Sequence, residues 1–212
     1  MHFGDYLFAN AFTLYAELKS PELISLLART TKKMCAGELS QTAMRFNLAI
    51  SEEEYVRMIE LKTASLFAAS CQIGAMSGGA ARDRLAGFGL AVGTAFQIVD
   101  DCLDIVGNET SMGKKPGNDV ARGKFTLPVI RLLRLLPGEE KKSLSELLLS
   151  PDDSGEKRTR VCELVERFGT ADYAMEKARS LVQKAKEDIV AGDSRCVATL
   201  RALADFAVER SW

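Results

Sequence analysis

A chain of 212 residues can form one large domain or two small ones, and no Pro/Gly/Ser-rich linker divides it. A single domain over residues 1–212 is therefore expected. Hydrophobic residues at 47%, charged residues at 27% and a net charge of −1 exclude bulk attraction to nucleic acid or an anionic membrane surface. Any anionic ligand must be held by local charges.

The opening MHFGDYLF lacks the basic start of a secretory signal. No apolar run reaches the roughly 18 residues that a spanning helix needs. Five scattered cysteines without a CxxC pair read as reduced thiols packed as small hydrophobes. The expected location is cytoplasmic.

Apolar residues recur at helical spacing along nearly the whole chain, and alternation of period two is nearly absent, so the fold class is all-α. Residues 5–18 predict a helix apolar on most of its surface. Ser20-Pro21-Glu22 stops it and starts the next, which the spacing carries from 22 to about 48. SEEEY at 51–55 predicts a capping box that opens a helix running to about Met76. A further helix over 81–106 contains Gly87, Gly89 and Gly93, which points to close backbone packing or to space left for something. A polar, turn-rich segment covers 107–118. Helices are then expected at 119–136, 139–149, 155–168, 170–191 and 195–210.

The stretch AFQIVDDCLDIVG at 95–107 ends a core-like helix in three aspartates. At about 100° per residue, Asp100, Asp104 and Asp101 fall at roughly 0°, 40° and 100° around the axis. Like charges so placed repel, and a hard divalent cation removes the conflict. Mg²⁺ binds through one or two carboxylates together with substrate phosphates. An acidic helix face is thus half of a diphosphate site. The cationic half follows at once, with Lys114 and Lys115 in a glycine-bearing loop and Lys124 after NDVARG, where Asp119 is placed to orient it. A solvated acidic patch beside an unrelated basic loop is the plainer alternative.

GTAFQIVDDCLDIVGNETSMGKKPGNDVARGKFTLPVI resembles the second aspartate-rich region of the trans-prenyltransferases, the polyprenyl (isoprenyl) diphosphate synthases. The match runs through Phe96, Gln97, Asp100, Asp101, Asp104, Gly113, Lys114, Asp119, Lys124, Thr126, Leu127 and Pro128. GDYLFANAF at 4–12, GELSQ at 37–41, YVRMIELKTASLF at 55–67 and the terminal LADFAVER are similar to other family segments, in the same order.

The resemblance implies an antiparallel, isoprenoid synthase-like helix bundle around a central cavity, usually dimeric. It implies condensation of isopentenyl diphosphate with an allylic prenyl diphosphate. Carried over by position, Asp100, Asp101 and Asp104 would hold Mg²⁺, with Asp100 the principal ligand. Lys62, Lys114 and Lys124 would bind the allylic diphosphate. Gln97 and Thr63 would lie beside the reacting carbons, and Gln97 would also contact the diphosphate. The catalytic set is thus Lys62, Thr63, Gln97 and Asp100. Glu38 and Gln41 read either as helix contacts or as neighbours of the site.

Family members carry further helices ahead of the GDY helix, including a first aspartate-rich motif and arginines that grip isopentenyl diphosphate. No second DDxxD with an arginine pair occurs in this sequence. The chain is therefore expected to correspond to roughly the C-terminal two-thirds of such an enzyme. It would act as a homodimer or in a heteromer with a chain that supplies the missing helices. The alternative is a non-catalytic or partner-completed subunit of a heteromeric synthase. A terpene cyclase would need a downstream NSE-type metal triad, which the sequence lacks.

Overall fold

The computed structural model describes residues 2–78, 82–107, 117–151, 155–189 and 195–210. All regular structure among them is helical. The helices are α1 (His2–Glu17), α2 (Pro21–Ala43), α3 (Glu52–Ile59), a π-helical turn (Glu60–Ala64), α4 (Ser65–Gly78) and α5 (Arg82–Val106). After it come α6 (Asn118–Ala121), α7 (Leu127–Leu135), α8 (Gly138–Leu149), α9 (Glu156–Arg167), α10 (Thr170–Asp188) and α11 (Arg195–Glu209). None is long and apolar enough to cross a membrane.

Local chemistry sets the early boundaries. Ser20 caps α2 by accepting from the Leu23 amide, with Pro21 at the first helical position. Ser51 and Glu54 form the reciprocal box that opens α3: the Glu54 amide donates to Ser51 Oγ at 3.0 Å, and the Ser51 amide donates to Glu54 Oε2 at 2.8 Å.

Helix α5 is the axis of the molecule. Ala95, Ile98, Val99 and Cys102 are fully buried on it, between α4 on one side and α10 on the other. Its glycines serve two purposes. A Cβ on Gly93 would stand 2.7 Å from Ala64 Cα, and one on Gly89 would stand 2.5 Å from the Phe67 carbonyl oxygen. Backbone therefore meets backbone where α5 crosses the π turn and α4. Gly87 faces open space.

The helix expected over 119–136 is broken in two. Gly123 takes a left-handed conformation (φ 73°), and Lys124 to Thr126 run outside any helix. The Phe46 ring occupies the place of a Cβ at Gly123, and the Phe46 amide donates to the Gly123 carbonyl at 2.8 Å. Pro128, in the first turn of α7, has no amide with which to continue a helix from upstream. Helix α2 also stops short of the expected residue 48, because residues 44–46 turn to make this contact.

A buried anion ties α3 to the second half of the chain. Glu52, 5% exposed, accepts from Tyr173 Oη and Lys177 Nζ at 2.9 Å each and pairs with Arg134 at 3.4 Å. Burial pushes its carboxyl pKa up, but the bonds from Lys177 and Tyr173 and the neighbouring positive charges outweigh this and hold it below the usual value. Toward the C-terminal end of α10, Lys186 binds Asp205 on α11 at 2.6 Å. Helix α1 packs mainly on α2, and Phe3, Tyr6, Leu7, Phe8 and Leu14 on it, with Leu18 just after it, are exposed.

Candidate active site

The chemistry-bearing side chains gather where α2, the π turn, the end of α5 and the α6–α7 connection meet. A π turn adds one residue to a helical turn: here the Ser65 amide bonds to the Glu60 carbonyl, five residues back. The inserted residue changes the direction of the side chains within the turn, which holds Lys62 and Thr63. Such turns are frequent at functional sites.

Thr63 points across to α5. Its hydroxyl donates to Gln97 Oε1 at 2.8 Å, and Gln97 Nε2 donates to Asp101 Oδ1 at 2.8 Å. The other Asp101 oxygen, Oδ2, accepts from Tyr55 Oη at 2.6 Å. The chain Thr63–Gln97–Asp101–Tyr55 thus fixes the Gln97 amide in one orientation and leaves it one free N–H.

The three aspartates do not share one face. Asp100 is exposed, whereas Asp101 is buried with both oxygens taken. Burial raises the Asp101 carboxyl to about 7 against the bonds from Tyr55 and Gln97, and it pushes the Tyr55 hydroxyl up as well. Asp104 is half-buried and accepts from the Asp119 amide at 3.0 Å through Oδ2. Among the described residues, no three His, Cys, Asp or Glu side chains are gathered closely enough to hold a metal ion. Asp101, expected among the ligands, is turned into the core instead. Helical-wheel angles place it about 100° from Asp100, and that sector is the one covered by α3.

The cations come from two directions. Lys124 lies 3.5 Å from Asp119, whose carbonyl also accepts the Lys124 amide at 2.9 Å. Lys62 Nζ meets Gln41 Oε1 at 2.7 Å and Glu38 Oε2 at 2.8 Å. The hydrogen bond from Lys62 holds the Glu38 carboxyl below its usual pKa, and the charge of Lys124 contributes in the same direction. Lys62 and Lys124 therefore belong to one electrostatic neighbourhood. Lys114, Lys115 and Gly113 lie outside the described residues.

Sequence reasoning missed Arg210. At the end of α11 its guanidinium stands over the Phe96 ring, with the carbon 3.8 Å from the ring centroid, and it donates to the Phe96 carbonyl at 3.2 Å. Burial lowers its pKa, and Asp100 opposes that shift, so the two charges feel one another. Phe96 also packs on Phe67, centroids 5.4 Å apart. No local motif marks Arg210, because its partners lie more than a hundred residues earlier.

A groove of about 400 Å³ opens between α2, α4 and α5, lined by Leu26, Thr30, Leu61, Ser65 and Leu90. None of the site side chains named above lines it.

A model of the polyprenyl synthetase family matches residues 1–165. A short chain isoprenyl diphosphate synthase of Methanothermobacter thermautotrophicus is 35% identical over 98% of this chain and 66% of its own. Component 2 of a heptaprenyl diphosphate synthase of Geobacillus stearothermophilus is 35% identical over 86% of this chain and 59% of its own. The crystal structure of a polyprenyl synthase from Caulobacter crescentus, complexed with calcium and isoprenyl diphosphate, superposes with a TM-score of 0.91 at 34% identity. That superposition covers 99% of this chain and 65% of the other. The chain spans 59% and 66% of the two curated relatives' lengths.

Proposed function

The chain belongs to the polyprenyl synthetase family, and from that premise we propose that it binds an allylic prenyl diphosphate and takes part in its condensation with isopentenyl diphosphate. The observation that carries this reading is the shared electrostatic neighbourhood of Lys62 and Lys124, beside a Gln97 amide locked by Thr63 and Asp101, with exposed Asp100 on the next turn of α5. The relatives' printed activities agree with it.

Asp100, with Asp104 one turn on, fits the habit of Mg²⁺, which takes one or two carboxylates and completes its shell with water and phosphate oxygens. When bound, that ion supplies positive charge where negative charge accumulates on the departing diphosphate. Lys62 and Lys124 hold the diphosphate as mobile point charges, as does Lys114 from the preceding segment. Preorganised cations of this kind lower the barrier to diphosphate departure. Thr63 and Gln97 stand beside the reacting carbons, and Asp101 and Tyr55 keep the Gln97 amide from turning. Phe96 and Phe67 supply apolar surface that keeps water from the carbocation.

The domain reading over 1–212 joins this proposal, with the apolar face of α1 covered by a second chain, either another copy or a different component. A partner-completed subunit is the second reading. It is favoured by that open face and by similarity to proteins named component 2.

Two measurements test the proposal. Inorganic pyrophosphate should raise the melting temperature of the protein only when Mg²⁺ is present, and Asp100→Asn should abolish the rise. Labelled isopentenyl diphosphate should enter a longer prenyl product when an allylic diphosphate is supplied. Melting that pyrophosphate leaves unmoved with Mg²⁺ present would sink the catalytic reading and leave a scaffold.

A further inference from the structure

The contacts of Lys62 carry a second conclusion, which rests on the reading of Lys62 and Lys124 as diphosphate-binding residues. Lys62 has three N–H donors and spends two within the protein, one on Gln41 and one on Glu38. These partners reach it because α2 and the π turn touch through backbone: a Cβ on Gly37 would collide with the backbone nitrogen of Lys62. Glu38 and Gln41 follow Gly37 on the same helix, one residue and one turn further on.

The two partners differ in chemistry. Gln41 is half-buried and held at both ends, because its Nε2 lies 3.7 Å from the Met58 sulfur, which directs Oε1 at the ammonium. It is a neutral acceptor on a fixed arm. Glu38 is an anion whose side chain is 57% exposed, so it can leave without disturbing the core. Its charge is felt by Lys62 first and by Lys124 as well.

We propose that Gln41 and Glu38 are positioning residues with opposed effects on the diphosphate site. Gln41 aims the Lys62 ammonium and stays in place throughout. Glu38 is an exchangeable counter-ion that neutralises the lysines when the site is empty, yields to the incoming diphosphate and competes for the same cations when diphosphate must leave. A phosphate oxygen competes with Glu38 for Lys62, because both are anionic acceptors, and it has no such conflict with the neutral amide of Gln41.

The test is titration calorimetry of inorganic pyrophosphate at fixed Mg²⁺ into the wild-type protein and the Lys62→Met, Glu38→Gln and Gln41→Ala variants. Glu38→Gln should bind pyrophosphate about two- to fivefold more tightly, the scale of a partly exposed ion pair. Gln41→Ala should bind it more weakly than wild type, and both variants should melt near the wild-type temperature. A merely structural role for Glu38 cannot tighten the binding of an anion. Weakened or unchanged binding in Glu38→Gln, while Lys62→Met binds poorly, would overturn this inference and leave the function proposal standing. Binding by Lys62→Met equal to wild type would overturn both. Glu38 is exposed, so its variant decides the matter even if Gln41→Ala fails to fold.

Discussion

Asp101 has a folded-state pKa of about 7, raised from an ordinary 3.8 mainly by burial. The folded protein therefore holds this proton more tightly than the unfolded chain does. That preference stabilises the fold fully below about pH 4 and is lost as the pH rises through about 7. Asp101→Asn removes the titration and keeps an acceptor for Tyr55. The melting-temperature difference between wild type and Asp101→Asn should move against wild type between pH 4 and pH 7 and level off above. A difference that is constant across that range would show that the group stays ionised in the fold. The sequence made Asp100, Asp101 and Asp104 visible as a set, but spacing gives only the angle of a side chain about its helix. Which sector is covered depends on Tyr55, 46 residues away, and no local pattern contains that. Arg210 was illegible for the same reason.

Helix starts were legible where apolar spacing and a cap agreed, as at Ser51 and Glu54, whereas the π turn inside the helix they open was not. Helices were misread where a long-range contact decides the backbone, as at Gly123, whose conformation answers to Phe46. Glycine in α5 was a readable sign of close packing, though only the structure separates Gly89 and Gly93 from Gly87. Gly93→Ala gains helix propensity of about 1 kcal/mol. It also drives a methyl group to 2.7 Å from Ala64 Cα, and overpacking of this kind costs about 1–3 kcal/mol. Net destabilisation in urea unfolding is the expected outcome, whereas Gly87→Ala, which meets nothing, should stabilise. Glu52→Gln should destabilise by about 1–3 kcal/mol, because Lys177 and Tyr173 lose a charged acceptor and remain partly covered. The Glu52 pKa is depressed, so this contribution should disappear from wild type as the pH falls below the ordinary carboxylate range. Unfolding midpoints for the two proteins should therefore converge in acid.

At the scale of the whole molecule, all-α architecture followed from periodicity alone, and what covers its surface did not. Phe3, Leu7 and Leu14 lie along one stripe of α1 at 73%, 52% and 63% exposure. On the proposal that a second chain covers this face, the stripe is where that chain would dock. Sedimentation velocity should show association that strengthens with protein concentration. Replacing Phe3, Leu7 and Leu14 by glutamate should return a single slow species with unchanged helicity. A monomer at all concentrations would mean that the stripe requires a different chain.

The π turn has a use in separating shape from chemistry. It holds one residue more than a regular helix needs, so deleting Leu61 would let the polypeptide from Tyr55 to Phe67 close into an uninterrupted α-helix. Such a protein should keep its silhouette and circular dichroism while Lys62 and Thr63 swing out of register with Gln41 and Gln97. It would be a folded decoy, differing from the original by a single missing codon.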